Sequence, residues 1–204
     1  ELPKNTEQQI KKFNSALKIL EKERFKPLKH AAASAGTILY PQAHYDLVRV
    51  GASLYGFWPS YEAKKKFSNL IHLEPALSWK TIVCEIKTIP KGERVGYDFT
   101  HTLKRQTIIG VCPVGYWHGL PRILSNRGCV LVNGKKAKIL GRVSMDMITI
   151  DLTDIMNVTV GSQVTLIGKD KNEEITSDEF ADLCDTTSYE VLTRINPLIK
   201  RYYK

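Results

Sequence analysis

Five runs between residues 76 and 168 restrict this chain more than anything else in it. They are SWKTIVCEIKTI, QTIIGVCPVGY, GCVLVNGKKAKIL, MDMITIDL and GSQVTLIG. Valine, isoleucine and threonine dominate them, and apolar and polar residues alternate, which suits half-buried strands. VNGKK (132–136) carries the Asn-Gly signal of a tight hairpin between strand-like flanks. A β-barrel or β-sandwich over about 76–168 is expected. A helix follows at 175–184, capped by Thr176 or Ser177 with acids in its first turn. SYEVLTRINP reads as a short final helix.

The first 56 residues have a different rhythm. Ile10, Phe13, Leu17 and Leu20 recur at helical spacing, and Thr6 with Gln9 fits a capping box, so a helix is expected over 6–24, stopped by Pro27. LKHAAAS (28–34) and YDLVRVG (45–51) are strand candidates, with a short turn or helix over 41–46. Helix, strand, short helix, strand is an α/β pattern. Two strands cannot form a self-sufficient sheet, so this segment reads as the tail of a larger α/β unit. Residues 57–75 are polar and irregular and read as a linker. The expected division is 1–56, 57–75 and 76–204.

Composition excludes some function classes. No run approaches the roughly 20 apolar residues of a membrane helix, and ELPKNTEQQIKK has no apolar signal region, so no membrane role and a cytoplasmic location are expected. Cys84, Cys112, Cys129 and Cys184 form no CxxC pair and sit among apolar neighbours, as reduced core residues would. The net charge of +9 is spread along the chain, with clusters only at 64–66 and 135–138. No basic helix or aromatic-interleaved motif points to nucleic acid, and an anionic small substrate suits the charge equally. The histidines are dispersed without ligand spacing, and no metal site is expected.

Six stretches remain: HAAASAG (30–36), LVRVGASLYG (47–56), RVGYDFTH (94–101), PVGYWHGLPRILSNRG (113–128), GRVSMDMITIDL (141–152) and TSYEVLTRI (187–195). In this order and spacing they resemble the C-terminal part of the alanine racemases, pyridoxal-phosphate enzymes. The resemblance implies the last two βα units of a (β/α)₈ barrel followed by a mostly β domain. It also implies a homodimer in which the β domain of one subunit completes the site of the other. The substrate is then a small molecule, alanine, whose L and D forms are interconverted by two-base proton transfer, supplying D-alanine for peptidoglycan.

Site roles follow from the resemblance, residue by residue. Tyr97 matches the tyrosine that takes or gives the Cα proton on one face. Arg49 matches the arginine facing the cofactor's pyridine nitrogen. Arginine cannot take up a proton, so the nitrogen stays unprotonated and side reactions are suppressed. His30 matches the histidine that hydrogen-bonds this arginine. Ser34, Gly51, Ala52 and Tyr189 match the phosphate cradle, where backbone N–H groups and two hydroxyls suit a dianion. Met145 matches the residue whose backbone N–H holds the substrate carboxylate. Tyr116 matches a tyrosine lining the substrate pocket, and Arg122, Arg142 and Asp146 match polar residues of the entrance corridor.

The chain departs from the family pattern at four places. Ala33 replaces an asparagine and removes a side-chain hydrogen bond near the cradle. Gly96 and Asp98 flank Tyr97 where serine and glycine are usual, and the added carboxylate is expected to oppose ionisation of the phenol. Trp117 and His118 replace Ala-Asp and are expected to crowd the corridor. The lysine that binds the cofactor covalently lies in the family in a segment like KANAYGHG, and nothing in residues 1–204 resembles it. The chain is therefore expected to be part of a longer enzyme and inactive alone. Two alternatives are a racemase of broader range, including serine, and a non-catalytic dimerisation or binding module.

Overall fold

The computed structural model describes residues 4–203. The chain divides into two compact units, Glu1–Ala76 and Leu77–Lys204.

In the second unit the alternating runs become strands: β1 (Trp79–Ile82), β2 (Glu85–Ile89), β3 (Arg94–Val95), β4 (His101–Thr102), β5 (Thr107–Cys112), β6 (Cys129–Val132), β7 (Lys135–Leu140), β8 (Ile148–Asp151), β9 (Gln163–Asp170) and β10 (Glu173–Ile175). The main sheet runs β1-β9-β6-β7-β8-β5-β2, with β10 beside β9. Its pairings are antiparallel. The two ends of this path are consecutive in sequence, separated only by Val83 and Cys84. Val83 N donates to Ser162 O at 2.9 Å and Cys84 N to Val111 O at 2.8 Å, so the chain changes partner at that step. The sheet thus closes on itself as a barrel. Closure removes the edges that an open sheet leaves unpaired.

The alternation decides what fills the barrel. Val83, Leu131, Val132, Ile150, Val164 and Leu166 are fully buried at its centre. The Asn-Gly turn forms as its sequence demands. Asn133 and Gly134 have φ of 52° and 76°, the positive pair of a type I′ hairpin. A smaller cluster of Val95, Leu103, Ile109 and Leu140 secures the β3–β4 hairpin. Helix α4 (Ser177–Leu183) starts at Thr176, not Ser177: Thr176 Oγ1 accepts from Glu179 N at 3.1 Å and Glu179 Oε2 accepts from Thr176 N at 3.0 Å. Phe180 on α4 meets the buried Trp79 ring, and α5 (Ser188–Arg194) packs through Val191.

The cysteines divide differently from their sequence contexts. Cys112 is buried, and desolvation pushes its thiol up to about 12. Cys129 and Cys184 are half-buried and also raised by burial, Cys184 to about 11. Cys84, expected in the core, is exposed at the partner switch between β1 and β2. A thiolate is the reactive form. Native-state labelling with a maleimide at neutral pH therefore modifies Cys84 first and leaves Cys112 untouched until unfolding, as peptide mass mapping reads directly.

In the first unit α1 spans Lys4–Lys22. Thr6 lies inside it, so the expected capping box with Gln9 does not start the helix. None of its residues is buried. Its apolar stripe meets one neighbour closely, with the Phe13 and Tyr45 rings edge-on at 5.1 Å. The two strand candidates do not become strands. They lie parallel and share one bridge, Ala33 with Arg49, with Arg49 N donating to Ala32 O at 2.8 Å. Two short parallel segments have too few ladder bonds to hold regular strands without further neighbours. Leu28, Leu47 and Val50 remain exposed on them. Two parallel segments, each followed by a helical turn, are the pattern of an α/β unit. Between the segments lie α2 (Ser34–Leu39), which was not anticipated, and a 3₁₀ turn at Pro41–Ala43. A second 3₁₀ turn follows at Ala52–Tyr55. The stretch 57–75 is not irregular throughout. It holds α3 (Tyr61–Phe67), capped by Ser60 Oγ accepting from Ala63 N at 3.1 Å.

Candidate active site

The expected site residues of the first unit converge at the ends of its two parallel segments. Each segment runs directly into a helical turn, α2 after Ala33 and the 3₁₀ turn after Gly51. Ser34 is buried, and its Oγ accepts from Gly51 N at 3.1 Å and Ser53 N at 3.3 Å. Two backbone donors thus aim at one oxygen, and the hydroxyl proton of Ser34 is left to be donated. Open space lies where a side chain of Gly51 would be, with nothing within 4 Å. Ala33, at the N-cap of α2, offers no side-chain acceptor to the first turn.

Arg49 is pinned beside this turn. Its Nη1 donates to His30 Nδ1 and to His30 O at 3.2 Å, and its Nη2 to Ala31 O at 3.2 Å. Arginine has donors only, so His30 Nδ1 must accept and the ring proton sits on Nε2. The result is a fixed guanidinium that cannot serve as a proton acceptor.

In the second unit, two of the sequence motifs, 94–101 and 113–128, gather around one loop, 141–147, of a third. Gly96 and Gly141 stand back to back with φ of 80° and 76°. A Cβ on Gly96 would lie 2.6 Å from Gly141 Cα. This contact leads Tyr97 into a bridge with Arg142 and leaves its side chain 63% exposed. Asp98 follows at φ 59°, a conformation that a short polar side chain tolerates. Its carboxylate is ion-paired with Arg142. The carboxylate beside Tyr97 is therefore paired rather than a lone charge.

Tyr116 reaches the same loop from the other side. Tyr116 N donates to Ser144 O at 3.0 Å and Trp117 N to Met145 O at 2.8 Å. Gly115 makes this approach possible, since a Cβ there would lie 2.3 Å from Ser144 O. Met145 sits at the tip of a turn closed by Ser144, whose Oγ donates to Met147 O at 2.8 Å and accepts from Met147 N at 3.1 Å. Among the described residues the N–H of Met145 has no acceptor and is available to a carboxylate. His118 turns back on its own loop: its Nδ1 accepts from Gly115 N at 3.2 Å. Trp117 stays half-exposed, stacked edge-on to His118. Arg122 and Asp146 form no ion pair among the described residues.

Two residues with no role assigned from the sequence hold the loop in place. Asn126 Oδ1 accepts from Gly141 N at 2.7 Å and pairs with His101 Nδ1 at 2.9 Å. Ser125 Oγ accepts from Val143 N at 3.0 Å. Both lie within the SNRG motif, but their partners lie 15 and 18 residues away and carry no local signal. Tyr189 stands apart, on the first turn of α5, with its phenol unpartnered among the described residues. That helix is tied to the Tyr116 loop: Asn196 N donates to His118 O at 3.1 Å and Asn196 Nδ2 to Trp117 O at 2.9 Å.

The described residues contain no cluster of three or more metal-ligating side chains, and no described helix is long and apolar enough to cross a membrane.

Known proteins share this fold. Residues 76–203 match the alanine racemase C-terminal domain and residues 1–59 the alanine racemase N-terminal domain. An alanine racemase of Leptospira interrogans is 43% identical over 198 residues, which is 95% of this chain and 51% of that protein. The crystal structure of alanine racemase from Bacillus anthracis with bound L-Ala-P superposes with a TM-score of 0.88 at 36% identity, covering 94% of this chain and 48% of that one. The alanine racemase of Clostridium difficile 630 in complex with cycloserine gives a TM-score of 0.90 at 30% identity, covering 98% of this chain and 52% of the other. The chain spans about half the length of the curated relatives it matches. A closed antiparallel barrel, the parallel segments of an α/β unit and matches to both domains lead to one conclusion: the chain belongs to the alanine racemase family.

Proposed function

We propose that this chain supplies the C-terminal half of a pyridoxal-phosphate-dependent alanine racemase that interconverts L- and D-alanine in the cytoplasm and provides D-alanine for peptidoglycan. The carrying observation is the exposed Tyr97, set by a glycine pair and a bridge to Arg142, on the loop that also carries the free N–H of Met145. One group suits a proton transfer and the other suits a substrate carboxylate.

The first unit fits the cofactor. The Ser34 hydroxyl, whose oxygen is held by the Gly51 and Ser53 N–H groups and whose proton is left to be donated, suits a phosphate, as does the open space at Gly51. Ala52 opens the 3₁₀ turn whose N-terminus would face that phosphate. Arg49, fixed by His30, would meet the ring nitrogen without protonating it. What pyridoxal phosphate supplies when bound is an electron-withdrawing ring that makes the Cα–H of an attached amino acid acidic.

The chain's own residues then have separate tasks. Tyr97 moves the Cα proton on one face through its phenolic oxygen. The Met145 N–H orients the carboxylate, and Tyr116 walls the pocket and excludes larger side chains. The enzyme works as a homodimer with sites shared between copies. The opposite-face base is the cofactor lysine, which lies outside these residues, so the chain alone is inactive.

Borohydride reduction in the presence of pyridoxal phosphate tests this reading. Intact mass of the isolated chain is expected to show no stoichiometric cofactor adduct, and the chain is expected not to racemise alanine. A single adduct at one lysine of residues 1–204, together with racemisation, would overturn it.

A further inference from the structure

Asp98 faces Arg142 and nothing else charged among the described residues, and Arg142 has no second carboxylate. Both side chains are half-exposed, so the pair lies at the surface beside Tyr97. The Arg142 backbone bridges Tyr97 itself, which keeps the guanidinium close to the reacting face. An unmasked guanidinium at that place would attract any ligand bearing an extra carboxylate, because arginine pairs with carboxylates through two parallel donors. With Asp98 present Nη1 is engaged and the local charge cancels.

We propose that Asp98 is a specificity-determining residue that masks Arg142 and so denies acidic amino acids a foothold beside Tyr97, keeping the site for uncharged side chains. This rests on the reading of Tyr97 as the proton-transfer residue. Arg142 and Asp98 are 44 residues apart in sequence, and the Gly96–Gly141 contact with the Tyr97–Arg142 bridge brings them together.

The measurement is competitive inhibition of alanine racemisation by glutamate and by its uncharged counterpart glutamine, in the enzyme at the full length of its relatives. In Asp98→Asn, glutamate is expected to gain about fivefold in affinity relative to glutamine, the scale of one half-exposed ion pair. The gain disappears in Asp98→Asn combined with Arg142→Gln, and it fades in 0.5 M salt as screened charges do. Asp98→Glu retains the wild-type ratio, and Arg142→Gln alone leaves it unchanged because that charge was already masked. An unaltered ratio in Asp98→Asn, or a gain that persists without Arg142, overturns the proposal while leaving the racemase reading intact. A wild-type enzyme inert on alanine overturns both.

Discussion

Replacing Tyr97 with phenylalanine in the full-length enzyme is expected to lower alanine racemisation by about 10²–10⁴-fold, the usual contribution of a positioned acid–base group. The ring is retained, so its packing changes little, and the turn that carries it depends on Gly96 and Gly141 rather than on the hydroxyl. The fold should therefore persist, with an unchanged circular dichroism spectrum and melting temperature. The loss should fall on kcat, because the hydroxyl acts on the Cα proton and not on the substrate carboxylate, which the Met145 N–H is proposed to hold. A parallel rise in KM with kcat untouched would assign the phenol to binding instead.

A second large effect is expected at the glycine pair. Gly141→Ala forces a side chain into left-handed backbone at φ 76°, with its Cβ 2.7 Å from Gly96 Cα and 2.8 Å from Val95 O. The conformational term costs about 1–2 kcal/mol, and displacing packed backbone adds about 1–3 kcal/mol. The sum is a loss of roughly 2–5 kcal/mol in urea denaturation. Gly92 supplies the control, since its φ is 91° but nothing lies within 4 Å of its missing Cβ. Gly92→Ala should show the conformational cost alone. Equal effects at both positions would mean that the close approach of the two loops contributes nothing.

The longer strands of the second unit were legible because their runs are rich in Val, Ile and Thr, whereas β3, β4 and β10, two or three residues each, gave no such signal. The closure of the barrel was not legible, because it depends on where residues 79–89 exchange β9 for β5, a non-local event at Val83–Cys84. Strand patterns at 28–34 and 45–51 were misleading for the same reason: propensity proposes a strand, but neighbours form it. Helix α3 was missed because YEAKKKF has no apolar periodicity, although Ser60 ahead of it is a recognisable cap. At the site, the motifs marked Tyr97, Tyr116, Met145 and Arg49. What lay hidden were the partners that orient them: Asp98 reaches Arg142, Asn126 reaches Gly141, and His118 turns back to Gly115. Residue type gave the chemistry of each group, while spatial pairing decided whether a charge stays free.

Solvent deuterium exchange at the alanine Cα in full-length Tyr97→Phe tests the two-base assignment most directly. L-Alanine and D-alanine would be followed separately by NMR and chiral chromatography. If Tyr97 serves one face only, one enantiomer should exchange its Cα proton and keep its configuration, while the other should exchange poorly and racemisation should be nearly abolished. Exchange of both enantiomers at wild-type rates, with racemisation preserved, would contradict the assignment of Tyr97 as the proton carrier.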